Sequence, residues 1–198
     1  MYSVVVQAGG KSTRMGKDKS LLTLRGKPLI QIVIDKVTSL GDELIITSNE
    51  PLKYAGFSAR VVSDEFTEVG ALAGIHAGLK ASKNELVVVV ATDMPFVSVG
   101  LFNHMKSLIT LEVDVVIPFS EKGYEPFHAI YRKASCLPAI ESAIRENKRR
   151  IISWFDAVNV ATVEKNEIEV FDPKGLAFFN VNTPEDLHFA EQAFSTNK

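Results

Sequence analysis

A length of 198 residues, with 46% hydrophobic and 23% charged side chains, predicts one soluble domain over 1–198 with a substantial core. The formal net charge of −2 excludes a surface built to wrap DNA or RNA, so any attraction for anions must be local. The single cysteine, Cys136, excludes an internal disulfide and a zinc site built on several cysteines. No apolar run approaches the roughly 18 residues of a membrane span, and no basic leader precedes the first strand, so a cytoplasmic location is expected.

Tyr2–Gln7 is a continuous β-favouring run, as in strands buried on both faces. Apolar residues at 29, 32, 33, 37 and 40 predict a helix over Pro28–Leu40, with Pro28 suited to its first turn and Gly41 as its stop. Glu43–Thr47 and Ala59–Ser63 read as strands. Leu72–Ala81 reads as a helix despite Gly74 and Gly78, whose missing side chains would let it lie close to a sheet. Glu85–Thr92 is the most hydrophobic strand and is expected at the centre. A helix over Val99–Ile109, strands over Val113–Pro118 and Pro126–Arg132, a helix over Ser135–Glu146, a short strand Phe178–Val181 and a helix Pro184–Phe194 complete the series. Glu121–Gly123 and Lys148–Glu169 show no regular pattern. This alternation predicts a three-layer, Rossmann-like α/β fold with a mainly parallel central sheet. In such sheets ligands bind beyond the carboxyl ends of the strands, which gathers loops 8–19, 47–50, 64–71 and 92–97 on one edge.

The first of those loops follows the first strand as QAGGKSTRMGKDKSLL. It is not a Walker loop: counting from Gly10, the second glycine position holds Met15, and Gly16-Lys17 is followed by Asp18. The dinucleotide fingerprint is absent too. Its chemistry still suits phosphates. Gly9 and Gly10 let backbone N–H groups approach an anion, Arg14 can fork onto phosphate oxygens, and Lys19 adds a mobile charge. The plainer alternative is a glycine turn with solvated lysines, and Lys11 and Lys17 are read that way.

Asp93 leaves the end of the most apolar strand in VVVVATDMPF, a costly place for a carboxylate without a partner. It is a candidate Mg²⁺ ligand facing phosphates, or alternatively a cap for the next helix. Asp64, after RVVS, either accepts hydrogen bonds from a base or ribose or caps a turn. GALAGIHAGL (70–79) offers close helix packing, a flat floor under a base, or both. His76 and His128, among apolar neighbours and with no partner at metal spacing, read as core or surface histidines. Cys136 reads as a buried structural thiol. NKRR (147–150) is a solvated helix end or a grip on a second anionic substrate. In FFNVNTPEDL (178–187), Thr183-Pro184-Glu185-Asp186 is a helix start, which leaves Asn180 and Asn182, on one face of the expected strand, unexplained.

Together, QAGGKSTRMGKDKSLL, GALAGIHAGL, TDMPF, PFHAIYR and FFNVNTPEDL resemble, in this order, the signatures of molybdenum cofactor guanylyltransferases. These belong to the nucleotidyltransferase superfamily that activates sugars with nucleoside triphosphates, and the similarity runs from residue 4 to about residue 190. The resemblance implies a fold of the nucleotide-diphospho-sugar-transferase type and Mg²⁺-dependent transfer of GMP from GTP to the terminal phosphate of molybdopterin or molybdenum-molybdopterin. It implies that Gln7, Ala8, Gly9, Gly10, Lys19, Asp64 and Asp93 bind GTP and that Asp93 also holds the metal. Arg14, Asn180 and Asn182 would lie toward the pterin, with Arg14, Lys19 and Asp93 as the catalytic set. Pterin-delivering proteins and molybdoenzymes are the implied partners; nucleic acid and membranes are not. The family motif usually begins Leu-Ala-Gly-Gly. Here Gln7 takes the leucine position, a polar side chain that is a candidate contact to the base. Thr47 stands where some relatives have asparagine, with Asn49 two residues on. Ala8-Gly9-Gly10 favours the guanylyl branch over the cytidylyl branch, which typically has Ala-Ala-Gly. A sugar-phosphate nucleotidyltransferase and a non-catalytic nucleotide-binding module are the remaining alternatives.

Overall fold

In a computed structural model that describes residues 1–8, 21–66, 69–148 and 150–195, the chain runs as alternating strands and helices. In chain order these are β1 (Tyr2–Gln7), a small hairpin of β2 (Thr23–Leu24) and β3 (Lys27–Pro28), α1 (Leu29–Val37), β4 (Glu43–Thr47) and β5 (Arg60–Val62). Then follow α2 (Ala71–Ala81), β6 (Leu86–Ala91), α3 (Val99–Ser107), β7 (Val115–Ser120), β8 (Gly123–Tyr124) and β9 (His128–Arg132). The chain ends with α4 (Lys133–Arg145), β10 (Val160–Val163), α5 (Lys165–Phe171) and α6 (Pro184–Ser195).

The main sheet has the order β10-β7-β9-β6-β1-β4-β5, with β8 attached to β7. β1 pairs in parallel with β4 and β6, so that Val5 lies between Ile45 and Val89. β6 occupies the middle of the order, as its hydrophobicity predicts. β9 pairs antiparallel with both β6 and β7, and β10 is parallel to β7. The reversal has a local cause. The connection from β7 to β9 is a short turn through β8, too short for the crossover that a parallel partner needs.

Period-two alternation in the strands divides the core. Val4, Val6, Ile46, Val88 and Val90 face α1, α3 and α5. Val5, Ile45, Val87, Val89 and Tyr131 face α2 and α4. The three layers follow from this. A smaller cluster joins α6 to the β2–β3 hairpin through Leu24, Leu29, Ile32, Val181 and Ala190. The glycines of α2 do what their spacing suggests: an added Cβ at Gly78 would stand 2.6 Å from Val5 Cγ1, and one at Gly74 would stand 2.5 Å from Gln7 Nε2. Among the described residues no helix is long and apolar enough to cross a membrane.

Two regions differ from expectation. Phe178–Val181 is not a strand. Val181 donates its N–H to the carbonyl of Asp93 (2.9 Å) instead of to a ladder, and Phe178 and Val181 are buried as plugs. The 148–169 stretch contains order that periodicity did not reveal. β10 is a four-residue edge strand, and α5 starts at a capping box in which the Glu164 and Glu167 side chains each take the other's backbone N–H.

Gly78→Ala should lower stability by about 1–2 kcal/mol, because overpacking against Val5 outweighs alanine's better helix propensity. Gly56→Ala, with open space around its Cβ, should stay within about 0.5 kcal/mol. Urea melts of both variants test this, and an unchanged midpoint for Gly78→Ala would remove the close approach of α2 to β1.

Candidate active site

The carboxyl ends of β1, β4 and β6 are stitched together beyond the last ladder pairs. Ala8 donates to Thr47 O at 2.9 Å, and Thr92 donates to Gln7 O at 3.1 Å. The Gln7 side chain is buried on the α2 side, where its Nε2 donates to Ala71 O at 3.0 Å in the first turn of α2. One of its two amide N–H groups therefore holds the start of α2, beside Gly74. Ala8 is buried next to it. Gly9, Gly10, Arg14 and Lys19, with Lys11, Gly16 and Lys17, lie outside the described residues.

On the β5 flank, Asp64 is clasped by Asn49. The Asn49 amide donates to Asp64 Oδ2 at 3.1 Å, and the Asp64 backbone N–H donates to Asn49 Oδ1 at 3.0 Å. Thr47 closes the end of β4 as a buried residue, and Asn49 supplies the polar contact two residues further on. Burial raises the Asp64 carboxyl above the usual range, against the Asn49 hydrogen bond and the nearby His76. Between this flank and α2 lies Gly70, at φ 72° and ψ −143°, a conformation that favours glycine and brings bare backbone to the edge.

On the other flank is the loop after β6. The helix-cap reading of Asp93 is excluded here, because Ser98 is the N-cap of α3 and its Oγ accepts from Leu101 N at 3.2 Å. Asp93 sits half-buried at the end of the central strand, its carbonyl held by Val181. That bond brings Asn180 and Asn182 to Asp93. Asn180 donates from Nδ2 to Phe178 O at 3.1 Å, and Val181 between the two asparagines is buried. Thr183 and Asp186 form the expected helix start: Asp186 N donates to Thr183 Oγ1 at 3.1 Å, and the Asp186 carboxylate accepts from the N–H groups of Asn182 and Thr183.

His76 and His128 are both core residues. His76 pairs with Glu141 at 3.2 Å, and His128 stacks on Phe102 with ring centroids 4.2 Å apart. Burial lowers the His128 imidazole to about 3, against a smaller opposing effect of the Ser98 backbone. Cys136 is buried, and burial pushes its thiol up to about 12. In NKRR, Lys148 pairs with Glu146 at 2.8 Å as a solvated helix end, and Arg149 lies outside the described residues.

One buried acid escaped the sequence reading. Glu125, just before β9, is 8% exposed, and among the described residues Ser120 Oγ is the side-chain group that bonds it, at 2.6 Å. Burial raises its carboxyl, against that bond and the charge of Lys122. The available signal was a carboxylate wedged between Tyr124 and Pro126 in a turn between two strands.

Among the described residues no three His, Cys, Asp or Glu side chains converge as a cation cage. The Asp93 carboxylate, half-buried past the end of the central strand and not the N-cap of α3, is an oxygen ligand of the kind Mg²⁺ takes, an ion that keeps waters and shares phosphate oxygens.

The family model for a MobA-like NTP transferase domain matches residues 4–160. A "Probable molybdenum cofactor guanylyltransferase" of Natranaerobius thermophilus is 38% identical, over 96% of this chain and 95% of its own. The "Molybdenum cofactor guanylyltransferase" of Desulfosudis oleivorans is 33% identical, over 98% of this chain and 96% of its own. The crystal structure of "Molybdopterin-guanine dinucleotide biosynthesis protein A" from Archaeoglobus fulgidus superposes with a TM-score of 0.84 at 31% identity, covering 99% of this chain and 100% of that one.

The buried imidazole sets a pH dependence. Its folded value of about 3 lies below the usual 6.5, so between those values the unfolded chain binds the proton that the folded one excludes. The contribution is complete above about pH 6.5 and is lost as pH falls toward about 3. His128→Phe, which keeps a flat ring on Phe102, should flatten the decline of the urea midpoint between about pH 7 and pH 4; an unchanged slope would contradict this assignment.

Proposed function

The chain belongs to the molybdenum cofactor guanylyltransferase family of MobA-like NTP transferases, and we propose that it acts as a single nucleotidyltransferase domain over 1–198. It transfers GMP from GTP to the terminal phosphate of molybdenum-molybdopterin, with release of pyrophosphate. A phosphate oxygen of the acceptor attacks the α-phosphorus, and the bond from that phosphorus to the oxygen bridging it to the β-phosphorus breaks. Two anions must meet, so positioning and charge neutralisation dominate, and no side-chain nucleophile is required.

One observation carries this reading. The Val181–Asp93 hydrogen bond joins the asparagine segment to the end of the central strand, so the elements assigned to acceptor and nucleotide converge there. Asp64, clasped by Asn49, offers carboxylate oxygens to the donors of the base or ribose. The Gly9 and Gly10 amides, Arg14 and Lys19 receive the triphosphate and the departing pyrophosphate; their assignment rests on the sequence motif. Ala8, and Gln7 through Ala71, support the turn into that loop. Asn180 and Asn182 orient the acceptor. Asp93 would hold Mg²⁺, which when bound supplies positive charge at the α-phosphate. The reaction belongs in the cytoplasm, with pterin-delivering proteins and molybdoenzymes as partners.

Pyrophosphate release from molybdopterin with each of the four nucleoside triphosphates tests the assignment. GTP should be preferred; preference for CTP would move the chain to the cytidylyl branch, and activity only with a sugar phosphate would move it to the sugar branch. Asp93→Asn should keep its melting temperature yet lose about 100-fold or more in turnover, with partial recovery at raised Mg²⁺. Near-wild-type turnover at limiting Mg²⁺ would remove Asp93 from the chemistry.

A further inference from the structure

β6 and β9 pair antiparallel with Val90 opposite His128, so the chain after Val90 and the chain before His128 emerge at the same edge of the sheet. Asp93 lies three residues past Val90, and Glu125 lies three residues before His128. A continuous set of contacts links the two. Val181 N donates to Asp93 O at 2.9 Å, Phe178 of the same segment meets the His128 ring edge-on with centroids 5.1 Å apart, and His128 N donates to Glu125 O at 2.9 Å. Glu125 therefore belongs to the acceptor flank, on the side of Asp93 away from Asp64.

Its environment is not that of an ordinary hairpin carboxylate. Glu125 is buried in a turn whose other acid, Glu121, is exposed and paired with Lys165. A carboxylate offers about four acceptor sites, and Ser120 fills one of them. Among the described residues neither Glu125 oxygen is sealed without a partner, so the sites that Ser120 leaves open can be reached by donors from outside. The acceptor's phosphate cannot be the group it faces, since two anions repel. The acceptor's other end can be: the 2-amino-4-oxo pyrimidine edge of a pterin carries an amino group and a ring N–H side by side, a donor pair that matches the two oxygens of a carboxylate.

We propose that Glu125 is a specificity-determining residue for the second substrate, accepting hydrogen bonds from the paired N–H donors of its pterin ring; this rests on the reading of that substrate as molybdopterin. The two flanks then use the same chemistry. Asp64 on one side, for the base or ribose of the nucleotide, and Glu125 on the other, for the pterin, each present a carboxylate to ligand N–H or O–H donors. Asp93 lies between them, where the phosphates meet.

The test is Glu125→Gln in the full-length enzyme, with molybdopterin and GTP as probes. The acceptor KM should rise tenfold or more while kcat at saturating acceptor changes far less, and the GTP Kd by calorimetry should stay within twofold. An acceptor KM within twofold of wild type would overturn the proposal, as would an equal loss of GTP affinity, which marks general damage to the edge. Should Glu125→Gln fold poorly, Ser120→Ala keeps the carboxylate and removes the side-chain bond it accepts from Ser120. It should raise the acceptor KM several-fold with GTP binding unchanged, and a wild-type KM would again overturn the idea. If wild-type enzyme releases no pyrophosphate from molybdopterin with any nucleotide, the functional reading itself falls; a wild type that turns over beside an unaffected Glu125→Gln sinks only the role of Glu125.

Discussion

The register of β1 between β4 and β6 is the constraint on which the rest depends. Gln7 lies opposite Thr47 on one side and Ala91 on the other, so three strands end level and three loops open at one height. A slip of one residue would turn Val5 out of the α2 layer and bring Val4 or Val6 into it. Gln7 opposes that slip, because it would lose its bond to Ala71 and turn its amide into the apolar face shared by Val88 and Val90. The same packing that fixes the core thus fixes where Ala8, Thr47 and Thr92 emerge.

A second level of order is supplied by the C-terminal segment. The 178–182 stretch runs across the edge, with Phe178 and Val181 as buried anchors and the asparagines between and beyond them. α6 then returns over the β2–β3 hairpin, and its apolar cluster, with Phe96 and Phe179, clamps the segment in place. In this arrangement residues distant in sequence act as one flank, and the backbone of Asp93 is held by a partner 88 residues away.

How much of this was legible depended on the length and regularity of the pattern. The long runs, β1, β4 and α2, were readable nearly to the residue because valine and isoleucine fill consecutive positions or helical spacing is sustained. Phe178–Val181 looked like a strand because two aromatics and a valine are β-favouring. What it lacked was a ladder partner, which no local pattern discloses. β10 and α5 were hidden for the opposite reason: four residues are too few for a period, and a glutamate at the N-cap is not the usual signal. Asp93 was visible as a carboxylate ending an apolar strand, but only the structure assigns the cap of α3 to Ser98. Gln7 stood out as a polar residue in an apolar position, yet its bond to Ala71 depends on the crossing of α2. Glu125 was passed over because its burial is created by tertiary neighbours.

The position of β1 has a consequence for synthesis. β1 is synthesised before both of its neighbours in the finished sheet, β4 and β6, and the last residue of β6 is Ala91. At ordinary elongation speeds the valine-rich β1 waits roughly 4 to 17 seconds between its own completion and that of its second partner. Both of its edges are open until β4 is complete at Thr47, and one stays open until β6 is, a template for pairing with another nascent chain. The glycines that admit α2 so close to the sheet belong to a helix finished before β6, so the apolar face of β1 can be covered before its edge is. The hazard thus lies at the edges of β1, and β6 is the segment that ends it.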